Sequence, residues 1–447
     1  MQDPIISGSG IRGVFGTSLT VEGALRFSAA FGSLCGGGAV IVGRYTRSSG
    51  PAVESAVVAG LCSAGCHPVL LGVAPTPTIQ LEVIRSGARG GIAVTSSHNP
   101  GEWNALKLIG SDGGFLRAEA RKSLLASLRD GIAHADYRTV GRPAESRGAV
   151  ERHARLAASL PLVLPGRRLR AVLDTTGGTG GLLGPPLMEH LGVDWTVING
   201  GMLPDGSFPR TAEPTGENLG DLCRAVVEQG ADVGFAFDPD GDRLALVDEK
   251  GRAVGEEYTV ALALDFVLAR RPGPAVVNLS TSMLSLEAAE RHGCRLYRSP
   301  VGEVNVVEEM ERRGAAIGGE GNGGVIDAEC HPGRDSAVAM AYVISLLRQS
   351  GSALSELVDS FPRFAMVKKR LVAGTPFSTI AEALMLEFGA PDDDRDGLWY
   401  SRPGGWMHVR PSGTEPVVRY IAENRDPGIP GADFARVERI VSGICAE

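Results

Sequence analysis

From Ala39 onward the chain alternates short apolar runs with segments of helix length: AVIVG, AVESAVVAGLCSAG, HPVLLG, a helix interrupted by prolines, then GIAVTSS. Short apolar runs are buried strands and the stretches between them crossovers, so the alternation predicts β–α–β units on a largely parallel sheet. The rhythm recurs. RLRAVLD near Asp174 and ADVGFAFD ending at Asp238 bracket PPLMEHLG and DLCRAVVEQG, and a block from about Gly255 runs AVVNLSTS, LSLEAAERHG, VGEVNVVEEMERRG and AAIGGE. After Phe361 it changes to strand-like AMVKKRLV, a helix TIAEALMLEFG, WMHVRPSGTEPVVRYIAE and a closing helix ending at Cys445. The predicted fold class is therefore α/β, with three similar mixed α/β domains and a smaller C-terminal α+β domain, over residues 1–148, 149–252, 253–362 and 363–447. VGRPAESRG and DEKGRA mark the first two boundaries. The three α/β blocks are not an obvious sequence repeat.

A length of 447 residues agrees with several domains. Glycine supplies 61 of them, about twice the usual share, so close-approach loops of the kind that surround phosphates are expected. A net charge of −8 provides no general attraction for nucleic acid or an anionic membrane, so anions must be gripped locally. The longest apolar stretch, Ala337 to Leu347, is well short of the ~20 residues that span a bilayer, and MQDPIISGSG lacks a charged-then-apolar leader. A cytoplasmic protein with no nucleic-acid or membrane partner is expected. Its seven scattered cysteines fit reduced thiols, and Cys62, Cys66 and His67 find no second ligand pair for zinc.

Four stretches hold side chains suited to chemistry. TSSHNPGEWNALK, Thr95 to Lys107, follows GIAV. Ligands of α/β folds gather beyond the carboxyl ends of parallel strands, which makes Ser97 a candidate nucleophile presented by the His98-Asn99-Pro100 turn. There is no GxSxG elbow and hence no indication of a Ser-His-Asp triad. The plainer reading is a serine-rich strand end with His98 as a local partner and Lys107 solvated. DPDGDR packs Asp238, Asp240 and Asp242 into a strand-to-strand turn, a repulsion that a divalent cation relieves, and hard oxygen ligands favour magnesium. A calcium EF-hand is excluded, since Arg243 stands where that loop needs glycine; a solvated acidic turn is the bland alternative.

GGEGNGG, Gly318 to Gly324, surrounds Glu320 and Asn322 with glycines that let a polyol approach, and HPGRD from His331 adds polar groups nearby. RPSGTEP offers the Arg410 fork, the hydroxyls of Ser412 and Thr414 and the backbone amides around Gly413, the donors a phosphate monoester needs, or else forms an ordinary hairpin loop. GSGIRG at Gly8 matches GxGxxG but lacks the preceding strand and the later acid of a dinucleotide site; its Arg12 reads as an anion contact.

In this order the motifs closely resemble the α-D-phosphohexomutase superfamily, across nearly the whole chain from SGIRG to RPSGTEP. GRYTRSSG at Gly43, PTPT at Pro75, PDGSFP at Pro204 and VGEVNV at Val301 are similar to further landmarks of that family. The resemblance implies four domains around a central cleft, each supplying one loop. It implies that Ser97 carries a phosphate and, with Asp238, Asp240 and Asp242, holds Mg2+. Arg12, Lys107 and Arg243 are implied beside the phosphoserine, His98, Glu303, Glu320 and Asn322 on the sugar, and Arg410, Ser412, Gly413 and Thr414 on the distal phosphate. The implied reaction interconverts hexose 1-phosphate and 6-phosphate through a bisphosphate, with hexose 1,6-bisphosphate as activator, a phosphorylated hexose or hexosamine as partner, and a monomer or homodimer as assembly.

Three positions depart from the family pattern. Tyr45 replaces the aspartate of GRDTR, a change expected to touch domain packing; Ala105 stands where NG is common; and Gly324 stands where many members carry an acid–base histidine. His331 is the candidate for that open role, since an imidazole titrates near working pH, and Lys107 is the alternative if nearby cations lower its pKa. EGNGG and VGEVNV resemble the branch of phosphoglucosamine mutases and archaeal-type phosphomannomutases or phosphoglucomutases, with phosphoglucosamine mutase favoured. A catalytically silent sugar-phosphate-binding regulator is the alternative of another class, though a pure binder needs no nucleophile beside a metal.

Overall fold

The computed structural model describes residues 3–8, 10–412 and 417–446, so Gly413 and Thr414 lie outside the described residues. The described chain forms four sheets. The first, of seven strands, is mixed rather than largely parallel. Gly38–Arg44 pairs parallel with Cys66–Val73 and Gly90–Val94, whereas Trp103–Ile109 pairs antiparallel with Gly90–Val94 and with Gly10–Val14. The short SSHNPG turn leaves no room for a crossover helix, so the chain must double back. Register then sets Lys107 opposite Ala93 and Arg12 opposite Ala105. Side chains two apart on a strand share a face, which turns Arg12 and Lys107 the same way.

The second and third sheets repeat the device. Val233–Phe237 runs parallel to Arg170–Asp174 and is followed by the antiparallel Leu244–Asp248; Ile317–Glu320 runs parallel to Ala275–Asn278 and is followed by the antiparallel Gly324–Asp327. The returning turns are DPDGDR and EGNG. Each of the three chemical motifs thus sits at the carboxyl end of a parallel strand, where an antiparallel strand leads away. This is the similarity between blocks that residue-by-residue comparison does not reveal.

The fourth sheet is antiparallel, ordered Ala365–Val372, Val417–Asn424, Gly405–Pro411 and Leu398–Arg402, with helices Phe377–Phe388 and Gly428–Ala446 as its other elements. That is the α+β domain expected.

The first and fourth sheets have their own cores, around Val42 and Ile92 and around Tyr400 and Val409. One core serves the second and third together: Leu173, Phe235 and Leu246 belong to the same buried cluster as Leu264, Val277 and Met340. The helix Ser336–Ser350, which contains the longest apolar stretch, is buried in that core from Ser336 through Leu347. Among the described residues no helix is long and apolar enough to cross a membrane. The metal and sugar hairpins touch by backbone. Gly323 holds φ +85°, a Cβ there would stand 2.1 Å from the Leu244 carbonyl oxygen, and its own carbonyl accepts from Leu244 N at 3.1 Å.

Candidate active site

Ser97 holds φ +48°, a left-handed conformation costly for a residue with a side chain. Its surroundings enforce it. The Ser97 amide donates to Thr95 Oγ1 at 3.0 Å, and Arg47, only 1% exposed, donates to the carbonyls of Ser97 (3.1 Å), Trp103 (2.8 Å), Asn99 and Pro100. The Arg47 guanidinium lies over the Tyr45 ring, and Tyr45 Oη accepts from the Ser96 amide at 3.2 Å. Tyr45 therefore supports the Ser97 loop directly, which corrects the expectation that this departure concerns domain packing.

Ser97 Oγ donates to Asp238 Oδ2 at 2.7 Å, joining the first sheet to the second. Ligand oxygens of Asp238, Asp240 and Asp242 lie within 4.8 Å of one another, all buried. Burial first, then the charges of Asp242 and Asp240, push the Asp238 carboxyl well above the usual range. Burial acts the same way on Asp240, but Lys107 and hydrogen bonds outweigh it and hold that carboxyl far below. Asp240 Oδ2 accepts from Lys107 Nζ (2.6 Å), Thr76 Oγ1 (2.9 Å) and Thr95 Oγ1 (3.0 Å). Asp242 Oδ2 accepts from Lys107 Nζ (3.2 Å) and Arg334 Nη2 (2.7 Å). The other oxygens of Asp240 and Asp242 are buried without a hydrogen-bond partner, with Arg243 Nε 3.7 Å from Asp242 Oδ1. Two orphaned carboxylate oxygens beside a third acid fit a hard divalent cation, and hard oxygen donors favour magnesium.

Burial lowers the Lys107 pKa, but Asp240 and Asp242 more than restore it, so the net shift is upward. That direction favours Lys107 as a cation, opposite to the lowering expected of a base freed by neighbouring cations. Arg12 and Arg243 add charge here: burial and then Arg243 lower the Arg12 pKa, with Arg419 contributing. Arg419, in register with Arg410, was not legible as a site residue; its signal is the arginine ladder Arg410–Arg419–Arg370. Glu213, from the loop after PDGSFP, binds His98 Nε2 (3.0 Å) and Arg243 Nη1. Desolvation and Arg243 hold the His98 imidazole well below its usual pKa.

The sugar-loop residues lie next to this centre. Glu320 Oε1 accepts from Asn278 Nδ2 (2.8 Å) and the Gly302 amide (2.9 Å), Glu303 accepts from Gln80 Nε2 (3.3 Å), and Asn322 Oδ1 accepts from the Gly324 amide (3.2 Å). Arg334 binds Glu303, Glu320 and Asp242 together and escaped the sequence reading, which noted HPGRD only as polar. Arg410 donates from Nε and Nη2 to Asp396 at 2.9 and 3.1 Å, while Asp396 also takes the Val301 amide. The Ser412 amide donates to the Val417 carbonyl at 2.9 Å.

His331 is not brought to Ser97. Its side chain is fully buried and Nε2 meets Asp335 Oδ2 at 3.1 Å, the same oxygen that His153 Nε2 meets at 2.8 Å. Packed there, it has the place of a structural group rather than a proton carrier. His331→Gln is expected to leave the acidic limb of the pH–rate profile unchanged and to lower Tm through loss of a charge-assisted bond, about 1.5–3 kcal/mol. A flattened limb would return the acid–base role to His331.

Three family models match the chain: phosphoglucomutase/phosphomannomutase alpha/beta/alpha domain I over residues 4–133, domain II over 157–251 and domain III over 255–364. A Methanopyrus kandleri protein named "Probable phosphoglucosamine mutase" is 34% identical over 421 residues, covering 93% of this chain and 92% of its own. A Thermococcus kodakarensis protein named "Phosphoglucomutase/phosphomannomutase" is 35% identical over 432 residues, covering 93% of each. Among solved structures, a phosphoglucomutase/phosphomannomutase family protein of Burkholderia thailandensis superposes with a TM-score of 0.85 at 26% identity, covering 98% of this chain and 97% of its own.

Proposed function

The chain belongs to the α-D-phosphohexomutase superfamily and is a phosphohexomutase, and from that premise we propose that it interconverts the 1- and 6-phosphates of glucosamine through a phosphoserine at Ser97. The observation that carries this reading is the Ser97 Oγ bond to Asp238 inside a buried aspartate trio with two oxygens that accept no hydrogen bond. Asp238, Asp240 and Asp242 would hold Mg2+ together with the Ser97 phosphate, and the ion supplies Lewis-acid neutralisation of phosphoryl oxygens. Arg12, Lys107 and Arg243 offset the charge spread over the transferring group. The Ser97 Oγ–P bond breaks as the phosphoryl group passes to the oxygen of the free sugar hydroxyl, whose proton ends on Ser97 Oγ, giving a 1,6-bisphosphate. That sugar turns over, and its other phosphoryl group returns to Ser97. His98, Glu303, Glu320 and Asn322 contact the sugar, and Arg410 with Ser412, Gly413 and Thr414 takes the phosphate that is not reacting. Hexose 1,6-bisphosphate serves as activator by phosphorylating an empty Ser97. The setting is cytoplasmic, for a monomer or homodimer.

The M. kandleri relative's name supports the hexosamine, and the T. kodakarensis relative's name supports a second reading as phosphomannomutase/phosphoglucomutase. Coupled assays with glucosamine, mannose and glucose 1- and 6-phosphates decide between them, with the highest kcat/KM expected for glucosamine phosphates. Preference for mannose or glucose phosphates establishes the second reading; no turnover on any, with hexose 1,6-bisphosphate supplied, favours a sugar-phosphate-binding regulator.

A further inference from the structure

The sugar loop and the metal hairpin belong to different sheets, yet a single side chain engages both. Arg334 donates from Nε to Glu303 Oε2 at 2.9 Å, from Nη1 to Glu320 Oε2 at 2.8 Å and from Nη2 to Asp242 Oδ2 at 2.7 Å. Its side chain is 8% exposed and those of its partners 6%, 5% and 1%, so the bonds are shielded from competing water. A planar fork with three edges in use fixes three carboxylates relative to one another, which a single ammonium cannot do.

A second observation comes from Gly324. No left-handed backbone demands glycine there, but a Cβ would stand 2.2 Å from Arg334 Cδ and 2.8 Å from its Cγ. The stem of Arg334 fills the volume where a side chain at 324 would begin. We propose that Arg334 is a positioning residue that couples the sugar-facing Glu303 and Glu320 to the metal-facing Asp242, and that Gly324 is the clearance this coupling requires. With Asp242 Oδ2 taken by Arg334 and Lys107, Oδ1 is the oxygen left for a cation. Loosening Arg334 lets that carboxylate rotate, and the same loosening releases Glu303 and Glu320.

The proposal rests on the reading of Asp242 as a magnesium ligand and of Glu303 and Glu320 as sugar contacts. Its test is a double-mutant cycle on the full chain with Gly324→Ala, Arg334→Lys and both together. Each variant keeps a positive charge near the buried acids, so the fold is not exposed to an uncompensated carboxylate cluster. Mg2+ affinity is read by calorimetry without sugar, and KM and kcat on the preferred hexose phosphate. Each single substitution is expected to raise the Mg2+ Kd and the sugar KM by roughly 10-fold, the scale for groups that orient metal ligands, with Tm little changed. The double variant is expected to be no worse than the poorer single, because the second change acts on a link already broken. A Gly324→Ala protein with wild-type Mg2+ affinity would overturn the coupling, since the atoms nearest the added methyl are Cδ and Cγ of Arg334, the side chain that ties the sugar loop to Asp242. So would effects that multiply in the double variant. Wild-type protein that turns over no hexose phosphate would instead defeat the functional reading, and the Mg2+ cycle would still decide the role of Arg334.

Discussion

Ser97→Ala is expected to lose turnover by roughly 10⁴-fold or more while still binding hexose phosphates, because removing a nucleophile strikes the transition state and spares ground-state contacts. The geometry makes this the largest single loss. Oγ is aimed at Asp238 at 2.7 Å by a loop that Arg47 pins through four carbonyls, and no other hydroxyl in that loop shares the arrangement: Thr95 Oγ1 is spent on Asp240 and Ser96 Oγ donates to Asn99 at 3.2 Å. The pinned φ of +48° also means that Ser97→Gly, equally inactive, should melt no lower than wild type, since glycine adopts that conformation at little cost. Intact-protein and peptide mass spectrometry after incubation with a hexose bisphosphate should find phosphate on Ser97 alone. Phosphate on another residue, or an active Ser97→Ala enzyme, sinks the assignment.

Asp240→Asn is expected to weaken Mg2+ binding by roughly 100-fold and to lower kcat by roughly 10³-fold, through loss of a charged ligand and of the partner that holds Lys107. Asp240 Oδ2 alone receives Lys107, Thr76 and Thr95, so an amide there turns at least one buried donor away. Chelation should abolish wild-type turnover and added Mg2+ restore it. Metal dependence in the Asp240→Asn enzyme indistinguishable from wild type would remove the DPDGDR turn from the metal site.

The four motifs were legible because each is compact. Asp238, Asp240 and Asp242 crowd one turn whatever surrounds them, and GIAV before Ser97 announces a strand end. What meets across sheets was not legible. Nothing near Lys107 in the chain foretells that Asp240 and Asp242 would raise rather than lower its pKa, because those partners come from another sheet. Arg47, Glu213 and Arg334 read as ordinary charged residues until register and packing aim them. His331 illustrates the converse: proximity in sequence to the sugar loop suggested reach, but Asp335, which caps the helix Ser336–Ser350, holds the ring inside. The mixed order of the first sheet followed from a turn too short for a crossover, a constraint that hydrophobic rhythm does not encode.

The core shared by the second and third sheets sets an order of events during synthesis. The face of the second sheet that carries Leu173, Phe235 and Leu246 is completed by residues as late as Met340 and Leu347. A ribosome that has released the DPDGDR hairpin has therefore made the aspartate trio on a sheet whose shared apolar face is covered only in part, by Leu183 and Leu187 of the helix Gly180–Leu191, and the cover is extended only when the helix Ser336–Ser350 emerges. At translation rates of about 5–20 residues per second that interval lasts many seconds, long enough for chaperone capture. One face of the first sheet, whose core draws on nothing beyond Ile132, can close beforehand, whereas the other, around Ile41 and Ile79, also packs Val150 and Val304. Nascent chains are thus expected to be most prone to aggregation in the middle of their synthesis, between a first sheet sealed on one face and a helix not yet made.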